Sequence, residues 1–240
     1  MNLGVQSWCF RNFKDNREVA KMLKEIGLDR IEISGAHFDD NTNFEEIKKI
    51  YEEEGVKITS VGVQFLNDKE EKIRKYFENV KIVGAKYMSI TFDINTMPYC
   101  FKTAEKLSEE YDIYLGIHNH GGRDWLGNSQ ILEWVFKKTN KRIGLCLDTG
   151  WALDSGENPV EMIERFYDRI YLLHFKDFIF DKTGKAKDVV LGEGNLDLDS
   201  IMKILKERNF EGEVIIEYEG EPENPLPKIK ECVESIKKYL

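Results

Sequence analysis

Short apolar runs alternate with charged, helix-patterned segments eight times along this chain, and that beat restricts the fold more than any other feature. The runs begin near Leu3, Asp29, Val56, Tyr87, Ile113, Ile143, Ile170 and Glu213. Their starts lie roughly 26 to 31 residues apart until the last interval, which stretches to about 43; one strand, one loop and one helix fill such a spacing. Eight repeats favour a closed parallel barrel over an open doubly wound sheet. A length of 240 residues, 41% of them hydrophobic, suffices for one sizeable core. The expectation is an α/β chain with a single (β/α)8 barrel domain spanning residues 1–240.

The intervening segments carry helix punctuation. Arg17–Ile26, Phe44–Glu54 and Asp68–Val83 stop at Gly27, Gly55 and Gly84, the residue type that most easily ends a helix. Thr103–Tyr111, Ser129–Lys138, Pro159–Phe166 and Asp199–Arg208 supply four more helices. Pro225–Tyr239 closes the chain, with Leu226, Ile229, Val233 and Ile236 near one helical face. The longest strand-poor interval, Asp177–Leu198, reads as an extended loop between the seventh run and its helix, returning to the barrel mouth. Asp181–Asp188 within it is a candidate disordered linker.

Ionisable side chains recur at the ends of four runs. His118 and His120 end YLGIHNH, Asp148 ends IGLCLD, His174 and Lys176 end IYLLHFK, and Glu217 and Glu219 end VIIEYE. Such groups beside buried chain need partners or a metal. Residues two apart on a strand face the same way, and the C-terminal ends of barrel strands feed one mouth. That mouth collects imidazole, carboxylate and amine, which reads as a metal-assisted enzyme site. Glu32, near the end of the second run, is a further carboxylate; His37, after SGA, reads as an exposed loop histidine.

Composition removes several function classes. With 44 acidic against 35 basic residues the formal charge is -9, which disfavours a general nucleic-acid binder. No segment reaches the roughly 18 apolar residues of a membrane span, and MNLGVQSWCF lacks the basic start and long apolar stretch of a signal peptide. Cys9, Cys100, Cys146 and Cys232 are widely spaced without a CxxC pair, as expected of reduced, buried thiols in a cytoplasmic protein. GEGNLD is not a phosphate-binding loop, because it lacks the lysine and hydroxyl residue of that motif.

LGIHNHGG, IGLCLDTGW, LLHFKD, VVLGEGNLD and VIIEYEG, in that order, resemble the xylose isomerase-like TIM-barrel superfamily. The sugar phosphate isomerase/epimerase branch looks nearest, with inosose and dehydroshikimate dehydratases as chemical cousins. The resemblance runs over nearly the whole chain and is strongest from Leu115 onward. It implies one divalent metal held by a glutamate, an aspartate, a histidine and a final glutamate. Asp148, His174 and Glu217 match the last three. His118 stands where the first glutamate is expected, since HNHGG replaces ENHGG. A His118/Asp148/His174/Glu217 set remains chemically coherent, and its smaller negative charge favours Mn, Zn, Co or Fe over Mg.

The same resemblance implies the chemistry. Proton transfer beside a carbonyl, through an enediolate, would isomerise or epimerise a small sugar or polyhydroxy ketone, with Glu217 as one base. The opposing glutamate is absent, and His118 replaces it only if it is not tied to metal. The alternative is dehydration of a cyclic β-hydroxy ketone such as an inosose or dehydroshikimate; in the dehydroshikimate dehydratase branch, residues matching His120 and Lys176 lie beside the metal and handle the proton and the oxyanion. Isomerisation is the first expectation, dehydration the second, and a non-catalytic sugar- or metabolite-binding barrel the third.

The remaining substrate-contact candidates are Glu32, Arg123, Trp151 and Glu193. Arg123, with Asp124 and Trp125, is in position to form part of a lid; Glu193 contacts substrate or braces its loop. Trp8, Phe10, Phe65, Phe92 and Trp151 either wall the mouth or pack between layers. Apurinic endonucleases of this fold use many histidines, whereas this chain has four, and their DxxH element reads Asp148-Thr149-Gly150-Trp151 here. The expected partner is a small polyhydroxylated carbonyl compound, with neither nucleic acid nor membrane. The resemblance adds self-association as a homodimer or homotetramer.

Overall fold

The computed structural model describes residues 1–121 and 123–239; Gly122, the second glycine of HNHGG, and Leu240 lie outside the described residues. The apolar runs form β1 (Asn2–Gln6), β2 (Arg30–Ile33), β3 (Lys57–Leu66), β4 (Tyr87–Phe92), β5 (Tyr114–His118), β6 (Ile143–Asp148) and β7 (Ile170–Phe175). A hairpin of β8 (Asp177–Phe180) and β9 (Ala186–Val189) follows, and β10 (Glu213–Ile216) completes the set. The barrel closes in the order β1-β10-β7-β6-β5-β4-β3-β2, and its recorded pairings are parallel. All six residues of β6 are buried, because a strand covered on both faces has no solvent side to make polar.

The helices are α1 (Asn16–Glu25), α2 (Phe44–Glu53), α3 (Glu70–Ile82), α4 (Tyr99–Tyr111), α5 (Ser129–Lys138), α6 (Thr149–Asp154), α7 (Pro159–Phe166), α8 (Leu198–Glu207) and α9 (Leu226–Lys237). Asp15, Asn43, Asn128 and Asn158 start α1, α2, α5 and α7 by accepting a backbone N–H, which satisfies donors a helix start leaves unpaired. α4 begins at Tyr99, ahead of the expected Thr103, because buried Cys100 and Phe101 extend its apolar face. α6 is an unexpected helix: the Asp148 side chain accepts the Trp151 N–H and nucleates it.

The expected linker over Asp181–Asp188 is instead the turn and return strand of the hairpin, paired Asp177↔Val189 through Phe180↔Ala186. Asp181 Oδ1 accepts the N–H groups of Thr183 at 2.7 Å and Lys185 at 3.0 Å, so the polar turn residues build structure of their own. Buried Phe178 anchors the hairpin, its ring 5.4 Å from that of Trp151.

One apolar core fills the layer between strands and helices. A second cluster, Tyr87, Cys146 and Leu172 with Tyr114 and Tyr171 packed against it, closes the lower lumen. Nearer the C-terminal strand ends the buried residues turn polar, with Gln6, Glu32, Ser60, Ser89 and His174. The four cysteines are free and buried, as expected. No helix among the described residues is long and apolar enough to cross a membrane.

Candidate metal centre at the barrel mouth

Register brings the ionisable strand ends together. His118 ends β5, Asp148 of β6 pairs with His174 of β7, and Glu217 follows β10, its N–H donating to the Phe175 carbonyl at 3.0 Å. One potential ligand atom from each of these four residues lies within 4.8 Å of the others. His118 Nε2 is 3.5 Å from Asp148 Oδ2, 4.0 Å from Glu217 Oε2 and 3.1 Å from His174 Nδ1. His174 Nδ1 is 2.7 Å from Glu217 Oε2.

Asp148 divides its carboxylate between two tasks. Oδ1 accepts the Trp151 N–H at 2.8 Å and caps α6, whereas buried Oδ2 has no hydrogen-bond partner. Glu217 Oε2 is likewise buried without one. Unpartnered carboxylate oxygens are unfavourable in an interior unless a cation lies among them. Metal bonds of about 2.0–2.2 Å to imidazole and carboxylate place neighbouring ligand atoms about 3–4 Å apart, and the separations given above, 2.7 to 4.0 Å, centre on that spacing. The residues present therefore fit one divalent ion. Burial opposes the charged form of both imidazoles, but the surrounding acidic groups outweigh it and raise both pKa values: Asp148 and Glu217 at His118, and Cys146, Glu32 and Glu217 at His174.

Glu32 lies behind His174, away from the mouth. Its Oε1 is 3.3 Å from His174 Nε2, an ion-pair distance without good hydrogen-bond alignment. Oε1 also accepts Gln6 Nε2 and Ser89 Oγ, each at 2.7 Å, and Oε2 accepts Ser60 Oγ at 2.5 Å. A Cβ on Gly62 would lie 2.0 Å from Ser89 Oγ, so the absent side chain allows this close approach. Burial favours the neutral acid, but His174 and the hydroxyls outweigh it and lower the Glu32 pKa. With no exposed surface, Glu32 is not a substrate contact; the sequence places it at the right strand end but on the wrong side of the ligand shell.

Lys176 is 1% exposed. Its Nζ bonds Glu219 Oε1 and lies 3.4 Å from Glu217 Oε1 and 4.0 Å from Asp148 Oδ2. Burial opposes its charge, but these three carboxylates hold its pKa above the ordinary lysine value. A Cβ on Gly150 would sit 2.6 Å from Lys176 Cγ, so α6 approaches the lysine stem only because that residue is glycine. Asp177, the next residue in the chain, accepts the N–H groups of Gly192, Gly194 and Leu196.

His120 is half-buried, with Nδ1 3.4 Å from His118 Nδ1. Burial first, and His118 second, push its pKa down to about 4. Two residues escape the sequence reading. Asn119 makes paired bonds to the Asp148 backbone, accepting its N–H at 2.8 Å and donating to its carbonyl at 2.9 Å. Thr149 Oγ1 accepts the Lys176 N–H at 3.0 Å and donates to its carbonyl at 2.7 Å. Their polarity within buried strand ends is the available signal, since such groups need partners.

A cavity of about 470 Å³ opens over the quartet, lined in part by Gln6, Trp8, His120, Trp151, Glu217 and Glu219. Trp8 and Trp151 wall it, as the sequence allows. Phe10 and Phe92 pack in the core, and exposed Phe65 lies outside the lining. Arg123 is exposed and also outside the lining. Glu193 is exposed in a separate groove beside Ser235, Lys238 and Tyr239, so the structure does not bring it to the site. His37 is 6% exposed, its Nε2 2.8 Å from the Phe13 carbonyl; it is a buried packing residue, not an exposed loop histidine. A hollow of about 550 Å³ at the opposite end, lined partly by Tyr87, Tyr114 and Tyr171, holds none of the quartet.

A family model described as a xylose isomerase-like TIM barrel matches residues 95–239, more than half the chain. The sequence is 29% identical over 148 residues to an inosose dehydratase of Clostridium botulinum, covering 55% of this chain and 50% of that protein. The chain thus spans about half the length of this relative. A sugar phosphate isomerase/epimerase of Parabacteroides distasonis superposes with a TM-score of 0.77 at 19% identity, over 99% of this chain and 98% of that one. An IOLI protein with a bound zinc atom also gives 0.77, at 18% identity, over 100% and 99%. At these identities the superpositions establish likeness of fold.

Proposed function

The chain belongs to the xylose isomerase-like TIM barrel family, and from that premise we propose that it is a divalent-metal-dependent dehydratase of a cyclic β-hydroxy ketone, of the inosose or dehydroshikimate kind. The observation that carries this reading is the placement of proton-transfer groups. The carboxylates in the described cavity lining, Glu217 and Glu219, both follow β10 and so stand on one side. Two-base epimerisation needs bases on opposite faces of the substrate, and Glu32 is buried behind His174. His120 and Lys176 flank the quartet instead. The sequence reading ranks isomerisation first; this distribution, together with the inosose dehydratase relative, favours dehydration.

His118, Asp148, His174 and Glu217 would hold the ion, which when bound supplies Lewis-acid polarisation of substrate oxygens. Two nitrogen donors suit Mn, Zn, Co or Fe better than Mg, and the zinc-bearing IOLI protein shares the fold. His120, with its lowered pKa, is neutral near pH 7 and accepts the proton from the carbon beside the ketone. The resulting imidazolium returns that proton to the departing β-hydroxyl: the C–H and C–O bonds break, a C=C bond forms, and water leaves. Lys176, buried and outside the described lining, stays protonated and stabilises the developing oxyanion through its charge rather than by touching substrate. Glu217 and Glu219 orient its ammonium from beneath and beside. Trp8 and Trp151 exclude water and offer flat faces to the ring.

The test is incubation of Mn-, Co- and Zn-loaded protein with an inosose and with 3-dehydroshikimate in heavy water. Loss of one water by mass spectrometry, with a new conjugated-carbonyl absorbance, is the expected result. An epimer carrying solvent deuterium without water loss would replace the reading by an epimerase. Neither turnover nor exchange, in protein that binds metal, would leave a non-catalytic binding barrel.

A further inference from the structure

Glu219 is fixed at the rim of the mouth from four directions. Its N–H donates to Asp188 Oδ1 at 3.1 Å and its carbonyl accepts Arg11 Nη2 at 2.7 Å. Oε1 accepts Lys176 Nζ, and Oε2 accepts Trp8 Nε1 at 3.0 Å. The side chain nevertheless keeps 27% of its surface exposed and lines the cavity. Its charge is therefore presented at a defined place to whatever fills the mouth.

The carboxylates around the mouth outnumber the one buried cation that Glu219 shares with them, Lys176. Asp148, Glu217 and Glu219 face Lys176, whose Nζ lies within 4.0 Å of all three, and Glu32 adds a fourth carboxylate behind His174. One divalent ion in the quartet leaves a residual negative charge. Neither arginine nor lysine is among the described lining residues. The nearest guanidinium, Arg11, is engaged by the carbonyls of Trp8 and Glu219. With the ion occupied by the ketone and hydroxyl oxygens, a substrate carboxylate or phosphate elsewhere on the ring would meet Glu219 with no arginine or lysine among the described lining residues to receive it. Neutral Gln6 and Ser34 and the indole faces of Trp8 and Trp151 instead suit hydroxyls and ring C–H groups.

We propose that Glu219 is a specificity residue that restricts this mouth to uncharged cyclic polyol ketones and rejects ring acids and sugar phosphates. The ketone part rests on the dehydratase reading; the charge rule does not need turnover. A unit charge about 6 Å away at an effective dielectric of about 20 changes affinity by more than tenfold, so the selectivity is measurable.

The experiment is calorimetric binding of myo-inositol, quinate and inositol 1-phosphate to metal-loaded protein. Wild type is expected to bind myo-inositol at least about tenfold more tightly than either anion. Glu219→Gln, which keeps the shape and removes the charge, should tighten both anions by about tenfold while changing myo-inositol by less than about threefold. Trp8→Phe removes a hydrogen bond to Glu219 without changing charge and should preserve the wild-type ratio. A purely structural role would weaken all three ligands together. Equal or tighter binding of an anion by wild type, an unchanged ratio in Glu219→Gln, or no binding of myo-inositol would overturn the proposal. Preferred turnover of 3-dehydroshikimate over an inosose would keep the dehydratase reading and sink the charge rule; the expected binding order without turnover would do the reverse.

Discussion

Glu32 and His174 form a buried pair in which Oε1 stands 3.3 Å from Nε2, while the other ring nitrogen, Nδ1, faces Glu217 Oε2 at 2.7 Å. Carboxylates thus stand at ion-pair distance from both ends of the imidazole, one beneath the quartet and one within it. A carboxylate behind a ligating histidine fixes its ring orientation and raises its basicity. Gln6, Ser60 and Ser89 fix Glu32 in turn, so the arrangement extends over five strands, β1 to β4 and β7.

Glu32→Gln should weaken metal binding by about 10–100-fold, the usual effect of losing such a partner. Competition against a chelator of known affinity measures this, and the cobalt absorption spectrum reports any change in ligand geometry. Unchanged affinity and spectrum would show that Glu32 is only a packing group.

The two oxygens of Asp148 separate in two substitutions. Asp148→Asn keeps an oxygen to cap α6 but removes the charge facing His118, so metal binding should collapse with little loss of fold stability. Asp148→Ala also removes the cap, at a further cost of about 0.5–2 kcal/mol. Denaturant melts of the metal-free variants check the difference; equal stability would contradict the capping role.

His120→Asn should retain metal, because His120 is outside the quartet, yet lose about 100-fold or more in turnover of the ring ketone, the scale of positioned acid–base catalysis. Metal content and kcat, measured on the same preparation, decide it. Full activity would exclude His120 as the proton carrier.

Metal and protons compete for His118 and His174. In metal-free protein both folded-state pKa values are raised above 6.5, where burial opposes protonation but nearby acidic groups outweigh it. Their stabilising contribution is complete below the unfolded value and is lost as pH rises through the raised values. Metal requires the deprotonated imidazoles. The increase in Tm on adding metal should therefore be small near pH 5.5 and grow toward pH 8. A metal effect independent of pH would argue against imidazole ligation.

His37 works with the opposite sign. Burial depresses its pKa below 6.5, although the Phe13 carbonyl partly offsets this. With Nε2–H donating to that carbonyl, Nδ1 is buried without a partner, and protonation would strand an N–H there. Its contribution is complete above the unfolded pKa and falls as pH drops from about 6.5 toward the lower folded value. The stability difference between wild type and His37→Gln should therefore shift against wild type on acidification, read from urea melts at pH 7.5 and 5.5. A pH-independent difference would dismiss the buried-neutral reading.

The order of strands and helices is legible in the chain because burial and capping act locally. β6 is apolar throughout its interior because both faces are covered. α5 and α7 fall on the residues their sequence signals mark, since Asn128, and Asn158 with Pro159, set the helix starts. The same logic marks His118, Asp148, His174 and Glu217 as groups needing partners at one end of the barrel. By itself, then, the sequence determines the β/α beat, the closed architecture it favours and the residue types at the mouth. Only the tertiary structure decides which Asp148 oxygen caps α6, that Glu32 stands behind His174, that Glu219 holds Lys176, and that His37 is buried. Those are distances across a closed barrel, set by strand register and stagger between segments far apart in sequence, and no local propensity or alternation carries that information.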